Sequence, residues 1–164
     1  MLILGIDPGL DTTGYGLIES ADGNHRVVEA GVIRSTAKLP MAERLREISD
    51  EVKAVIEQFS PEAISIEELY AHYNHPRTAI IMGHARGVVF LRAAEAGIPI
   101  VSYAATRIKK SLTGNGRATK AQMQRMVANS LNLTAIPQPA DAADALAVAL
   151  CHCRVLELGD GVAA

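Results

Sequence analysis

The chain has 164 residues, of which 49% are hydrophobic and 21% are charged, and its formal net charge is −2. These values are typical of a globular protein and exclude both intrinsic disorder and a collagen-like repeat. No apolar run approaches the roughly 20 residues of a membrane span, and no basic segment precedes the first charge, Asp7, so we expect neither a membrane anchor nor a signal peptide. Two cysteines, Cys151 and Cys153, are too few for a disulfide framework, which favours a cytoplasmic location.

The N-terminal part of the chain predicts four strands and one long helix. The strands are expected over residues 2–7, 13–19, 25–33 and 63–66. The links between the first three are short, as the turn Asp22-Gly23-Asn24 illustrates, so these strands should pair antiparallel with their neighbours. Over residues 41–59, apolar side chains recur at spacings of three and four, which is the pattern of an amphipathic helix.

The C-terminal part predicts one more strand among helices. A helix over residues 78–96 should end at Gly97, and a strand over 98–103 follows it. Three further helices are expected over residues 105–112, 119–131 and 141–156. This order predicts an α/β fold with a mixed five-stranded sheet (three antiparallel strands, then parallel strands) and helices on both faces. We expect a single domain over residues 1–157 and a frayed tail over 158–164.

Four carboxylates fall where such a sheet would form a site. Asp7 ends the first strand, and Glu67 occupies the same place on the fourth. If these two strands are parallel neighbours, their carboxyl ends meet at the edge where α/β sheets bind ligands. Asp141 and Asp144 are three residues apart at the start of a helix, so they share one face. A cluster of carboxylates suits hard cations such as Mg²⁺ or Mn²⁺.

Each of these acids also has a simpler interpretation. Asp7 precedes Pro-Gly and is a common type of turn residue. Asp141 could be a helix N-cap, and Asp144 a first-turn acid that the helix dipole favours. Glu67 and its neighbour Glu68 could be solvated charges at a strand end. One shared site would explain all four positions together, whereas the simpler interpretations are independent of one another.

The charge is unevenly distributed along the chain. Residues 69–140 contain nine Arg and Lys residues but only one acid, Glu95, so this segment carries +8 and the remainder −10. A basic segment beside an acidic remainder is typical of a protein that binds a polyanion. Solvated helix faces are the alternative interpretation of the same pattern.

Five segments carry a resemblance to a known family. They are Ile3-Leu4-Gly5-Ile6-Asp7-Pro8-Gly9, Thr13-Gly14-Tyr15-Gly16, Ile66-Glu67-Glu68-Leu69-Tyr70, Gly83-His84-Ala85-Arg86-Gly87-Val88 and Ala140-Asp141-Ala142-Ala143-Asp144-Ala145-Leu146-Ala147. In this order and spacing, over residues 1–156, the chain resembles the RuvC family of Holliday-junction resolvases. The resemblance implies a ribonuclease-H-like fold and a structure-specific endonuclease. Such an enzyme resolves four-way DNA junctions by paired symmetric nicks in recombination and repair.

The resemblance also assigns roles to individual residues. The catalytic acids and metal ligands would be Asp7, Glu67, Asp141 and Asp144, holding two Mg²⁺ or Mn²⁺ ions per site. The family stacks an aromatic ring at the junction crossover, which would be Tyr70 here, with Tyr73 as the alternative. Further DNA contacts are expected from Arg77, Lys109, Lys110, Arg117 and Lys120, and the loop over residues 113–117 resembles a phosphate-binding turn with exposed amides. The expected partners are four-way junction DNA, a second copy of the chain in a homodimer, and a branch-migration helicase complex.

Three other functions remain compatible with parts of the sequence. An actin- or Hsp70-type ATPase also begins with a strand like Gly5-Ile6-Asp7, but it needs two such lobes. A non-catalytic DNA-binding module would use the acids structurally, and a related nuclease of the same fold would cut other nucleic acids. The tripeptide Cys151-His152-Cys153 contains zinc-binding residue types, but its spacing on a helix argues against a zinc site.

Overall fold

Five strands form one mixed sheet in the computed structural model, which describes residues 1–69 and 76–159. The strands are β1 (Leu2–Asp7), β2 (Thr12–Ala21), β3 (Asn24–Arg34), β4 (Ala63–Glu67) and β5 (Ile100–Tyr103). Their order across the sheet is β3-β2-β1-β4-β5. β1 pairs antiparallel with β2, and β2 with β3, whereas the β1–β4 and β4–β5 pairs are parallel. The predicted mixed sheet is therefore confirmed.

Helices cover both faces of this sheet. They are α1 (Met41–Phe59), α2 (Pro76–Glu95), α3 (Ala105–Thr113), α4 (Lys120–Ser130) and α5 (Ala140–Glu157). One apolar cluster joins the sheet to α1 and α2, and a second joins its other face to α3, α4 and α5. Among the described residues, none of these helices combines the length and apolar character that a membrane span requires.

The alternation of side chains along the strands determines which face each acid reaches. On β1, Leu4 and Ile6 pack toward α1 and α2, whereas Ile3 belongs to the cluster on the α5 side. Asp7 follows Ile3 by four residues and therefore lies on the α5 side as well. β4 runs parallel to β1 with Ile66 opposite Ile6, so the next residue, Glu67, reaches the same face at the same edge.

Helix α5 approaches the sheet unusually closely because the strands beneath it carry glycines. A Cβ atom added at Gly5 would collide with the carbonyl oxygen of Ala145, and one at Gly14 with that of Asp141. At Gly16, the added atom would lie 2.7 Å from a methyl carbon of Leu146. Backbone therefore packs against backbone here, which brings the first turns of α5 to the carboxyl end of β1.

The Cys-His-Cys segment of α5 lies in the core. Cys151, His152 and Cys153 are all buried, and the hydroxyl oxygen of Tyr103 lies 2.6 Å from Nδ1 of His152. Burial lowers the pKa of His152 and raises the pKa of Cys153 to about 12. A neutral imidazole and protonated thiols are what a buried apolar environment favours, so this segment helps to hold α5 against β5.

Candidate active site

A cavity of about 260 Å³ opens at the carboxyl ends of β1 and β4. Three acids line it, and each comes from a different element: Asp7 from β1, Glu67 from β4 and Asp144 from α5. Two lysines, Lys109 of α3 and Lys120 of α4, complete its polar lining. The apolar remainder of the lining consists of Ala105, Ile108, Met123 and Ala147. The sequence alone does not identify these four residues as part of the site, because apolar residues on helices do not indicate a function by their chemistry.

Burial and neighbouring acids raise the pKa values of Asp7 and Glu67. The pKa of Asp7 rises from 3.8 to about 7, first because the carboxyl is buried and then because Asp144, Glu67 and Asp141 place negative charge around it. Burial likewise raises the pKa of Glu67, and Asp144 adds to this shift while Lys109 opposes it. The end of the sheet therefore concentrates negative charge that the protein's own cations compensate only in part.

Lys120 supplies the nearest compensating charge. Its ammonium nitrogen lies 2.8 Å from Oδ2 of Asp144, and this hydrogen bond raises the pKa of Lys120. The position of Lys120 follows from a capping box that starts α4 at the expected place. The hydroxyl of Thr119 accepts from the amide of Gln122 at 3.2 Å, and the Gln122 side chain accepts from the Thr119 amide at 2.8 Å.

Asp141 stands apart from the other three acids. It lies in the first turn of α5 but does not line the cavity, although its charge contributes to the raised pKa of Asp7. The N-cap of this helix is Pro139, and the helix begins at Ala140, so Asp141 is not the N-cap residue that one interpretation of the sequence suggested.

The site's residues fit a divalent cation by their chemistry, although they do not already surround one. Within residues 1–69 and 76–159, no group of three Asp, Glu, His or Cys side chains is arranged to hold a metal ion as it stands. The donor set nevertheless consists of carboxylates, the ligands that Mg²⁺ and Mn²⁺ prefer. Burial first, and then the negative charge of the other acids, raise the pKa of Asp7, and a bound cation would neutralise that charge.

The expected DNA-contacting residues fall into three positions. Lys109 and Lys120 line the cavity, whereas Lys110 and Arg117 are exposed nearby on α3 and on the loop that follows it. Arg77 is exposed in the first turn of α2. The aromatic candidates Tyr70 and Tyr73 lie outside the described residues.

The loop over residues 113–117 differs from the expectation of freely exposed amides. The amide of Asn115 donates to the hydroxyl of Thr113 at 3.1 Å, and the amide of Arg117 donates to the side-chain oxygen of Asn115 at 2.9 Å. Because two of its amides are already paired within the loop, any phosphate contact here would come mainly from side chains.

The sheet order and the helices on both faces define a ribonuclease-H-like fold, and the acids at the ends of β1 and β4 are what a nuclease of this class requires. The family model described as "Crossover junction endodeoxyribonuclease RuvC" matches residues 3–152. The chain belongs to the RuvC family, whose nucleases depend on metal ions.

Individual relatives agree with this assignment. The crossover junction endodeoxyribonuclease RuvC of Rhodopirellula baltica is 51% identical over 149 residues, which cover 91% of this chain and 84% of that protein. The structure of RuvC from Thermus thermophilus is similar with a TM-score of 0.89 and 34% identity, over 97% of both chains. A structure of the same Thermus protein in complex with a Holliday junction substrate has a TM-score of 0.88 and 32% identity, again over 97% of both chains.

Proposed function

We propose that this enzyme resolves four-way (Holliday) DNA junctions by paired symmetric nicks, in recombination and repair. The observation that carries the proposal is the cavity in which Asp7, Glu67 and Asp144 meet beside Lys109 and Lys120. Acids suited to bind divalent cations lie there next to cations suited to bind phosphates. The similarity to a resolvase that has been seen with its junction substrate supports the same conclusion.

Two Mg²⁺ or Mn²⁺ ions would be held by Asp7, Glu67, Asp141 and Asp144. Bound divalent cations supply Lewis acidity toward the phosphodiester and neutralise the charge that develops on its oxygens. Asp7 would be the central acid of this set, since the charges of the other three acids all act on it in addition to its burial. Asp144 stands on α5 rather than on the sheet and would orient the attacking water as a hydrogen-bond acceptor.

Lys120 would have two states in this mechanism. Without a divalent cation, its ammonium group pairs with Asp144. A cation held by the acids would weaken this pair, and Lys120 would then be available for a DNA phosphate. Lys109 lines the same cavity and would neutralise phosphate charge from the α3 side. The outer contacts would come from Arg77, Lys110 and Arg117, and a stacked ring at the crossover from Tyr70.

Two symmetric nicks require two active sites, and each chain has one set of these acids. We therefore propose a C₂ homodimer that uses an exposed face of α2. On this helix, Ile80 is 62% exposed and Leu91 is 55% exposed, and the exposed residues His84 and Gly87 lie between them at helical spacing. Apart from the neighbouring backbone of α2 itself, no atom of the described residues lies within 4 Å of the position that a Cβ of Gly87 would occupy. A second copy could therefore approach this face closely.

Charged substitutions on α2 test the dimer. Ile80→Glu and Leu91→Glu should yield monomers in sedimentation equilibrium and convert paired cleavage into single, unpaired nicks on a supercoiled cruciform. Leu158→Glu is a matched control, because Leu158 is similarly exposed but follows α5. Monomeric wild-type protein with paired cleavage would contradict the assignment.

Three further assignments complete the proposal. Residues 1–157 would act as one nuclease domain, a branch-migration helicase complex would be the partner that brings the enzyme to junctions, and the protein would work in the cytoplasm. Co-purification with such a helicase on an immobilised junction, in the presence of Ca²⁺, tests the second of these.

Substrate competition tests the activity itself. A labelled four-way junction should be cut with Mg²⁺ or Mn²⁺, and unlabelled junction should compete far better than duplex DNA or an RNA–DNA hybrid. Asp7→Asn should bind the junction without cutting it. A protein that binds junctions with these metals but never cuts them would be a DNA-binding module, and preferred cutting of the hybrid would indicate a different nuclease.

A further inference from the structure

Arg86 of α2 joins the ends of two neighbouring strands. Its Nε donates to the backbone carbonyl oxygen of Glu67 at 3.3 Å, and its Nη2 donates to the hydroxyl of Ser102 at 2.6 Å. Glu67 is the last residue of β4, and Ser102 is the penultimate residue of β5. One planar guanidinium group therefore bridges β4 and β5 at the edge of the sheet where the cavity opens.

This bridge lies on the face of the sheet opposite the cavity. Ser102 pairs in register with Ile66, whose side chain packs in the cluster of α1 and α2. The Glu67 carboxylate points to the other face, into the cavity. Arg86 thus holds the backbone of Glu67 on the α2 side of the sheet, while the side chain of Glu67 lines the cavity on the other side.

The Arg86 side chain is itself held in place. Its guanidinium carbon lies 4.5 Å from the centre of the Phe90 ring, one helical turn further along α2. Stacking on a ring and two hydrogen bonds leave this long side chain little freedom, and an immobile donor fixes its acceptors in turn.

We infer that Arg86 is a positioning residue for the proposed metal ligand Glu67, an inference that rests on the proposed role of Glu67. By fixing the backbone at the end of β4 relative to β5, Arg86 determines where the Glu67 carboxylate stands in relation to Asp7. Partners behind a metal ligand commonly affect metal affinity or activity by about 10- to 100-fold when they are removed.

The same helix offers a matched control. Arg92 also donates through Nε to a backbone carbonyl, that of Ser49 at 3.3 Å, and to the hydroxyl of the same serine at 2.7 Å. These contacts tie α2 to α1 and do not involve β4 or β5. Arg92 also pairs with Glu95 at 2.7 Å and with Asp50 at 3.5 Å. Its substitution therefore removes more polar contacts than that of Arg86, and none of them lies at the end of β4.

The experiment compares Arg86→Met, Arg86→Lys, Ser102→Ala and Arg92→Met. Mn²⁺ affinity is measured without DNA by electron paramagnetic resonance, and single-turnover junction cleavage is measured against Mg²⁺ concentration. Arg86→Met should bind Mn²⁺ roughly tenfold more weakly and cleave about 10- to 100-fold more slowly at a fixed Mg²⁺ concentration. Arg86→Lys should fall between it and wild type, since an ammonium group can reach one of the two acceptors but not both. Arg92→Met should stay within about threefold of wild type in both measurements.

Two comparisons separate this inference from the proposed function. In a Glu67→Gln background, Arg86→Met should weaken Mn²⁺ binding no further, because both changes act through one ligand. If Glu67→Gln itself binds Mn²⁺ and cleaves like wild type, the role of Glu67 is wrong. If Glu67→Gln is impaired but Arg86→Lys and Ser102→Ala match Arg92→Met, only the role of Arg86 is overturned. These two variants decide the question even if Arg86→Met does not fold.

Discussion

The ammonium nitrogen of Lys120 lies 2.8 Å from Oδ2 of Asp144, so the first turn of α4 is tied to the acid that α5 contributes to the cavity. The side chain of Lys120 is 61% exposed and that of Asp144 is 29% exposed. Pairs at such exposure contribute little stability, typically up to about 1 kcal/mol. A pair this weak can be exchanged for stronger partners, namely a divalent cation for Asp144 and a phosphate for Lys120.

Lys120→Met should therefore change metal binding and DNA binding in opposite directions. Without DNA, Mn²⁺ should bind about two- to fivefold more tightly, because Asp144 no longer has a competing partner. Junction binding in Ca²⁺ should weaken, and the slope of log affinity against log salt should fall by about one. Lys110→Met is the control: Lys110 is exposed on α3 outside the cavity, so it should share the second effect only. Equal Mn²⁺ affinity for both variants would show that Lys120 does not compete with a divalent cation for Asp144.

Asp7→Asn should abolish cleavage and stabilise the protein when metal is absent. Folding raises the pKa of Asp7 from 3.8 to about 7. As the pH rises, the Asp7 carboxyl therefore loses its proton at a lower pH in the unfolded chain than in the folded one. The contribution of Asp7 to stability is thus lost between about pH 4 and pH 7. At pH 7.5 in EDTA, Asp7→Asn should raise the free energy of unfolding by about 1–3 kcal/mol, with little difference at pH 4. Urea unfolding at both pH values measures this.

The activity of the same variant is measured separately. Cleavage should fall by about three orders of magnitude or more, while junction binding persists. A variant that cleaves within tenfold of wild type would exclude Asp7 as a shared metal ligand, whatever its stability.

Glu67→Gln should impair cleavage far more than Glu68→Gln. Adjacent residues at a strand end point to opposite sides, and Glu67 lines the cavity whereas Glu68 is exposed. We expect Glu67→Gln to lose about 100-fold or more in single-turnover rate and Glu68→Gln to stay within a few-fold. If Glu68→Gln were the more impaired variant, Glu68 and not Glu67 would be the glutamate of the active site.

Gly14→Ala should be strongly destabilising. A Cβ atom there would collide with the backbone of Asp141, so α5 must move away from β2 or the strand must bend. The expected cost is about 3 kcal/mol, with loss of cleavage because two acids move with the helix. Gly83→Ala on α2, where an added Cβ would meet only a methyl carbon of Leu69 at 3.7 Å, should instead gain up to about 1 kcal/mol in helix stability. Thermal unfolding in EDTA compares them, and equal melting temperatures would show that the α5 contact is not tight.

The helices and strands could be predicted where the spacing of apolar residues or the turn residues within one segment indicate them. The helix over residues 41–59 was predicted with its observed bounds, since its apolar spacing and the flanking Pro40 and Pro61 mark both ends. The acids at the ends of β1 and β4 could be anticipated because the strand order places both ends at one edge. The lining of one cavity by Asp7, Glu67 and Asp144 agrees with that expectation, and their catalytic role stays a prediction.

Contacts between distant helices could not be predicted. Lys120 and Asp144 lie on different helices, and their pairing depends on how far α5 rotates and how closely it approaches the sheet. Gly5, Gly14 and Gly16 permit the close approach, but a glycine within a strand does not reveal which backbone will pack against it. For the same reason, the sequence placed Asp141 and Asp144 on one helix face but did not show that only Asp144 would reach the cavity.

The backbone packing of α5 on β1 and β2 has a consequence for how this protein can change over generations. Gly5, Gly14 and Gly16 leave no room for a side chain. The part of the site that β1 and α5 form can therefore vary only if several positions change together. The segment that carries Lys109, Lys110 and Arg117 has no such restriction. New preferences for DNA sequence or shape should therefore arise first in α3 and the loop after it, and directed evolution of specificity should begin there.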